Sequence, residues 1–331
     1  MSLIEVTSDV AAAPQGAPAA FQYLDCLGDG GGGLVAFPTE TVYGLGADAG
    51  NAEALARLYK VKGRPAAHPV IVHVASAEEA WLWADAVPEF AHKLAERFWP
   101  GPLTLVLKRA AKVLDTVTGG ADTVGLRVPG HPVAQELLQA FGAGIAAPSA
   151  NRFGRLSPTS ADHVRADLGM GIDAVIESGT CDVGLESTIV DCSGEAPVIL
   201  RPGRITAADI EAVAGMPLAE DDSTVRAPGT LPAHYAPRAK LKMMRRTEII
   251  EAVATNKGKR LAALLLEIPV PRLSSSNTLV VPAVAVTYAR SLYANLRVLD
   301  ATGADTILVE TPPDSPSWAA VLDRLGRAAH T

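Results

Sequence analysis

Residues Leu34–Val74 read LVAFPTETVYGLGADAGNAEALARLYKVKGRPAAHPVIVHV. The stretch opens with a short apolar run, Leu34–Phe37, which Pro38 stops because proline cannot donate to a strand ladder. Thr39-Glu40-Thr41 then presents polar side chains at the strand's end, and Gly44 and Gly46 allow a bend that other residues resist. Asn51 is an expected N-cap for a helix carrying Leu55, Leu58 and Tyr59 on one face. That helix delivers Lys60, Lys62 and Arg64 before Pro65 forces an extended exit into a second strand, Val70–Val74. One βα unit therefore brings three cations and two threonines into a small space. Spacing alone leaves two readings: a basic helix end, where cations favour the negative pole of the dipole, or a built anion site.

Composition narrows the classes. The chain has 331 residues, 48% apolar and 20% charged, enough for two domains with a sizeable core. A net charge of −7 argues against a broad electrostatic grip on nucleic acid, so any anion site is a local pocket. The three cysteines, Cys26, Cys181 and Cys192, form no CxxC pair, which points to a reducing cytoplasm rather than a disulfide framework or structural zinc. Residues 1–20 lack the basic start and apolar run of a signal peptide, and the longest aliphatic run, Leu261–Leu266, is too short to span a bilayer. No membrane role is expected.

Along the rest of the chain, residues 1–18 read as a loose tail and Ala19–Leu27 as a helix. Asp29–Gly33 is a glycine run that leads into a strand and lacks the Lys-Ser/Thr pair of a phosphate loop, so it reads as a connector. Helices are expected at 77–86 and 89–98, and strands at 103–107 and 122–129. The second of these strands carries Arg127 in an apolar setting; a buried arginine needs either a carboxylate ligand or an internal acid. Ile145–Asn151 repeats the opening plan of apolar strand, proline stop and short hydrogen-bonding side chains. Ser149 and Asn151 also suit an ordinary turn. Arg152, Arg155 and Ser157 extend the polar patch, and further strands follow at 174–177, 184–191 and 198–200. Arg201 and Arg204 come next, then a helix capped by Thr206. Several strands thus end in Ser/Thr/Arg clusters, and the simplest architecture gathers them in one crevice beyond the strand ends. A polar linker over 216–238 ends His234-Tyr235-Ala236-Pro237. Beyond it, strands at 240–244, 261–267, 278–281 and 306–310 alternate with helices, which suggests a smaller βαβ, Rossmann-like domain over 239–331.

PTETVYGLGADA followed by KGRPAAHPVIVHV resembles the signature of the YrdC-like domain found in L-threonylcarbamoyladenylate synthases, and the HYAP linker and C-terminal alternation resemble the family's two-domain members. The resemblance implies an α/β fold: a twisted open mixed sheet with a basic crevice over 19–215, plus the smaller C-terminal domain. It implies condensation of ATP, L-threonine and bicarbonate or CO2 to threonylcarbamoyl-AMP and pyrophosphate, for N6-threonylcarbamoyladenosine at position 37 of ANN-decoding tRNAs. Mg²⁺ would arrive with ATP. Lys62 and Arg64 match the family's Lys-x-Arg and would be catalytic, and Ser149 and Asn151 match its Ser-x-Asn. By the same resemblance ATP would meet Arg64, His68, Thr123, Ser149, Asn151, Ser157, Arg201 and Tyr235. L-Threonine would meet Thr41, His73, Arg127, the backbone of Ala147, and Ser187. The product would be handed to the tRNA threonylcarbamoyl transferase complex, with direct tRNA binding weak or absent. Two rival classes fit the sequence less well. An RNA-binding YrdC-like module conflicts with the acidic balance, and the hydrogenase-maturation carbamoyltransferase needs zinc-finger cysteines and further domains absent from this sequence.

Overall fold

The computed structural model describes residues 4–7, 26–27, 32–220, 225–256, 258–267 and 277–330. Most of the stretches read as a tail at 1–18 and a helix at 19–27, together with 29–31 of the glycine run and 221–224 of the linker, lie outside the described residues. The chain divides into two compact units. The first takes in the described residues up to Phe153, then Pro158–Asp182 and Glu186–Thr230. The second takes in Gly154–Ser157, Val183–Leu185 and the described residues from Leu231 onward.

In chain order the first unit contains β1 (Ile4–Thr7), β2 (Val35–Phe37), β3 (Gly44–Asp48), α1 (Ala52–Lys62), β4 (Ile71–His73), α2 (Ala77–Trp81) and α3 (Glu89–Phe98). There follow β5 (Leu103–Lys108), α4 (Asp115–Thr118), β6 (Thr123–Arg127), α5 (Pro132–Phe141), β7 (Ile145–Ala146), α6 (Ala161–Leu168), β8 (Ala174–Glu177), β9 (Thr188–Asp191), β10 (Val198–Arg201) and α7 (Ala207–Ala214). The strands form one mixed sheet in the order β1-β8-β2-β3-β7-β4-β6-β5-β9-β10. β1 lies within the stretch read as a tail and pairs in parallel with β8, although Ile4 and Val6 are all the apolar alternation it offers.

α1 forms where its sequence says it should. The Asn51 side chain accepts from the amides of Glu53 and Ala54, and Gly63 ends the helix at φ 63°, a left-handed value that glycine adopts at little cost. Leu55, Leu58 and Tyr59 are buried as expected. Gly44 and Gly46 serve a purpose other than the bend. Both lie inside β3, and a Cβ on Gly46 would come within 2.9 Å of Phe37 Cε1 and of Ile145 Cγ2. The glycine leaves room for a neighbouring ring, a tertiary demand that the local sequence does not display.

Side chains alternate across the pleat, so register assigns each residue to a face. Leu105, Leu126 and Val72 point to the face covered by α1 and α3, where the main core with Leu55, Leu58 and Leu94 is packed. The opposite face is only partly covered. On one side Val35, Phe37, Ile145 and Ala147 pack under Leu137 and Leu138 of α5. On the other, Ile71, Val106 and Ile189 pack with Val198 and Ala227. Between these two patches the same face carries polar side chains.

The second unit has β11 (Lys240–Met244), α8 (Arg246–Ala254), β12 (Leu261–Glu267), β13 (Thr278–Pro282), α9 (Ala285–Ala301), β14 (Thr306–Glu310) and α10 (Ala319–Ala329). Its four-stranded sheet is parallel throughout, in the order β11-β14-β12-β13. That is the βαβ arrangement expected from the alternation of apolar runs and amphipathic segments.

Candidate active site on the open face of the large sheet

β6 lays down the axis of the site. Thr123, Gly125 and Arg127 share one face at the two-residue period, and Thr123 lies roughly 13 Å from Arg127 at about 3.3 Å per residue. Gly125 leaves the floor between them low: an added Cβ would already touch Ile71 Cγ1 at 3.4 Å and Thr104 Cγ2 at 3.6 Å. The polar residues therefore lie across a sheet face as well as beyond strand ends. The expectation of a crevice wholly beyond the strand ends suits a parallel sheet; here β3, β5, β7 and β10 run antiparallel to neighbours, so loops from both ends reach the face.

At the Arg127 end, His73 of β4 is the direct register partner of Arg127. Both are buried. Arg127 donates from Nε to the Gly101 carbonyl at 3.2 Å and from Nη2 to Glu40 Oε1 at 2.7 Å. Glu40 Oε2 accepts from the Gly130 amide at 3.1 Å. The arginine thus has an internal acid as partner, which settles one of the two readings its burial left open. No acceptor for Arg127 Nη1 occurs among the described residues. His73 Nδ1 is buried without a hydrogen-bond partner. Burial, and then the Arg127 charge, push the His73 pKa down to about 3, so the ring is neutral at ordinary pH.

Thr41 completes this corner. Its hydroxyl lies 2.8 Å from that of Thr39, which donates to the Val42 carbonyl at 2.6 Å and accepts from the Thr41 and Val42 amides. Ser187 Oγ is 2.8 Å from Thr104 Oγ1, across the sheet from Arg127. Ala147 follows β7 and donates its amide to the Ile71 carbonyl at 2.9 Å. Of the five residues assigned to threonine, His73 and Arg127 are register partners, Ala147 is bonded to β4 and Ser187 to Thr104 of β5, while Thr41 adjoins Glu40; Thr39, Glu40 and Thr104 enter through these contacts. The sequence marks Thr39 and Glu40 only as polar side chains at a strand's end and does not single out Thr104, and nothing local ties Glu40 to an arginine 87 residues away.

The other group gathers around the end of α1. Lys62 is buried, and its Nζ donates to the carbonyls of Ser149 and Asn151. Burial, and then the charge of Arg64, hold its pKa well below the usual lysine value. Lys62 thus clamps the 149–151 turn, a role its motif position did not reveal. Arg64 donates to the carbonyls of His68 at 3.3 Å and Pro69 at 2.7 Å, and its guanidinium sits 5.5 Å from the Phe153 ring centre. His68 packs against the same ring, with its pKa lowered by burial and by the charges of Arg64 and Arg226. Ser149 is half-buried, with its backbone holding Lys62 and bridging Gly44. Asn151 is buried and donates from Nδ2 to the Arg152 carbonyl at 2.7 Å. Arg201 is held against Ser187. Its Nε and Nη2 donate to the Ser187 carbonyl, Nη2 also to Ser187 Oγ, and Nη1 to the Pro228 carbonyl at 2.9 Å.

Ser157 and Tyr235 belong to the second unit. Ser157 is buried. Tyr235 is buried too, at φ 59°, with its ring 5.9 Å from Tyr293 and 4.1 Å from His234, and with the Arg324 guanidinium 5.1 Å away. The linker's polar composition suggests no core for this tyrosine, yet one exists, supplied by α9 and α10.

Among the described residues no helix is long and apolar enough to cross a membrane. A family model described as "Telomere recombination" matches residues 30–203, and one described as "Threonylcarbamoyl-AMP synthase, C-terminal domain" matches residues 205–330. The chain is similar to the threonylcarbamoyl-AMP synthase of Pyrococcus abyssi (strain GE5 / Orsay), with 40% identity over 90% of this chain and 91% of that one. It is also similar to the Bacillus subtilis (strain 168) protein of the same name, with 39% identity over 89% of each chain. The crystal structure of P. abyssi Sua5 complexed with L-threonine matches with a TM-score of 0.86 and 38% identity over 94% of both chains.

Proposed function

Because the chain belongs to the threonylcarbamoyl-AMP synthase family, we propose that it makes threonylcarbamoyl-AMP and pyrophosphate from L-threonine, bicarbonate or CO2, and ATP, for N6-threonylcarbamoyladenosine in tRNA. The observation that carries the reading is a pair of polar ends, one on the open sheet face at Arg127 and one at the C-terminal end of α1. One end holds a buried arginine with a free donor beside a neutral histidine; the other holds Arg64 beside an aromatic ring and a lysine-clamped serine turn.

Each part suits one demand of the reaction. Arg127 offers its Nη1 to an amino-acid carboxylate. His73, Thr41 and Ser187 surround the place where the hydroxyl of threonine would lie. The α-ammonium first gives up a proton; the amine then forms a bond to the carbon of CO2 and loses one more proton, giving a carbamate that keeps one N–H. A carbamate oxygen then attacks the α-phosphorus of ATP as the bond to pyrophosphate breaks. Positioning and positive charge supply most of the help such a transfer needs. Arg64 and Arg201 provide charge; Ser149, Asn151 and Thr123 provide neutral contacts for phosphate or ribose. Mg²⁺ would come with ATP and call for few protein ligands. The product's chemistry requires a downstream transferase that carries the threonylcarbamoyl group to adenosine.

The test is pyrophosphate release from ATP with threonine and bicarbonate omitted in turn. Dependence on both supports the reading; release independent of threonine removes it. Selectivity sharpens the test. Serine lacks one methyl group and should fall roughly 10–200-fold below threonine in kcat/KM. Valine lacks the hydroxyl, leaves polar neighbours unpaired and should fall by about 10⁴-fold. Valine matching serine would exclude Thr41, His73 and Ser187 as readers of that hydroxyl.

A further inference from the structure

Glu40 lies in the best-marked motif of the sequence, and the reaction as described gives it no task. Its side chain is 14% exposed, so its carboxylate is held out of bulk water by the fold. Two of its lone-pair sites are used, one by Arg127 Nη2 and one by the Gly130 amide. A carboxylate has about four such sites, so each oxygen keeps one. A structural role alone would be to steady Arg127, yet Gly101 already fixes the guanidinium at Nε.

The charges around it suggest more. Arg64, at the end of α1, and Arg201, beside Ser187, are basic residues elsewhere in the site, and a triphosphate would compete for Arg127 as well as for them. Glu40 cancels the charge of Arg127 and leaves that end of the face unattractive to a polyanion. What an Arg–Glu pair does attract is a dipolar ion whose own charges are one or two bonds apart. The carboxylate of an α-amino acid on Arg127 Nη1 would bring its ammonium within reach of the acid on Nη2. The neighbouring groups do not duplicate this charge pattern. His131 has its pKa lowered by burial, with Glu40 and Asp182 opposing, and the buried Cys181 thiol is pushed up to about 12.

We propose that Glu40 and Arg127 together form a receptor for the amino-acid zwitterion, in which Glu40 accepts a hydrogen bond from the substrate's α-ammonium and excludes simple anions from the Arg127 end. This rests on the reading of Arg127 as the threonine carboxylate site.

The experiment is calorimetric titration of the full chain with L-threonine and with 2,3-dihydroxybutanoate, in which a hydroxyl replaces the α-ammonium. Wild type should prefer threonine roughly ten- to hundredfold, the usual worth of a hydrogen bond to a charged group. Glu40→Gln keeps an acceptor for Arg127 and removes the charge; threonine should weaken by a similar factor while the hydroxy acid holds or tightens, so the preference collapses. Equal binding of the two ligands by wild type overturns the proposal with no variant needed. Equal weakening of both ligands in Glu40→Gln also overturns it, because a residue that only supports Arg127 would act on both. Arg127→Gln separates the layers. If threonine binding survives it undiminished, the threonine-site reading falls and this proposal with it. If binding is lost there but the preference persists in Glu40→Gln, only the role of Glu40 is removed.

Discussion

At the scale of single residues, the contrast between Ser149 and Lys62 shows how backbone and side chain divide the work. The Ser149 carbonyl is committed to Lys62, whereas its hydroxyl has no protein partner among the described residues. Ser149→Ala should therefore leave stability within the scatter of a neutral surface change, about ±0.5 kcal/mol, while raising KM for ATP. A melting temperature that drops with unchanged KM would make the hydroxyl structural. His73 gives a second prediction, through pH. Its folded pKa of about 3 lies below the ordinary 6.5, so both states are neutral above that range. Between roughly 6.5 and 3 the unfolded chain takes up a proton that the folded protein refuses, and stability falls as pH falls. His73→Gln should flatten the decline in melting temperature between pH 7 and 4 relative to wild type. Parallel curves would show that the buried ring does not resist protonation. The motifs showed that these residues matter, but not how. That Lys62 is a clamp and that Arg127 is paired with Glu40 depend on partners 87 residues or more distant, and no local pattern encodes such pairs.

At the scale of elements, the ends of α1 govern the position of the Lys62–Arg64 group. Asn51→Ala removes the side-chain acceptor of two amides and should cost about 1 kcal/mol. Gly63→Ala meets no atom within 4 Å, so its cost is conformational alone, also about 1 kcal/mol for an L-residue at φ 63°. The two should differ in function. Asn51 is at the far end of the helix, whereas Gly63 separates Lys62 from Arg64, so only Gly63→Ala should raise KM for ATP more than twofold. Equal KM values in both variants would show that the last turn does not position Arg64. Elements with clear periodicity and caps were legible: α1, α3 and α7, and all four strands of the second unit, fall within a residue or two of their expected bounds. The helix expected at 77–86 ends at Trp81, where Leu82 and Trp83 turn the chain by backbone bonds to Glu79 and Ala80. Strand order was not legible, because register across a mixed sheet is set by pairs such as His73 and Arg127 that meet only in three dimensions.

At the scale of the whole molecule, sequence order and spatial grouping diverge. Composition places a boundary near 216–238, yet the chain enters the second unit at Gly154–Ser157 and again at Val183–Leu185 before its final entry at Leu231. The packing of these two short segments belongs to the second unit. Ser157 is buried, and a Cβ on Gly184 would lie 2.4 Å from the Arg290 carbonyl oxygen. A chain ending at Thr230 should therefore leave 154–157 and 183–185 without their packing partners. Limited proteolysis should nick the truncated form within 152–158 at least tenfold faster than the full chain, and synthesis should fall, because Asn151 and Ser187 border those segments. Equal protection in both forms would show that the segments hold their conformation unaided.

β6 has a further consequence. A strand is a ruler whose graduations are set by covalent geometry, so the separation of Thr123 from Arg127 cannot be tuned by exchanging side chains. On the proposed assignment, that span fixes how far apart a nucleotide and an amino acid are held. It also has parity. Inserting or deleting one residue between Thr123 and Arg127 would send one of them through the sheet to the buried face, and no compensating substitution elsewhere could restore it. Only changes of two residues keep both on the same side, and these alter the gap by roughly 7 Å. The length of this segment is therefore under a discrete constraint, stricter than any on the identity of the residues within it.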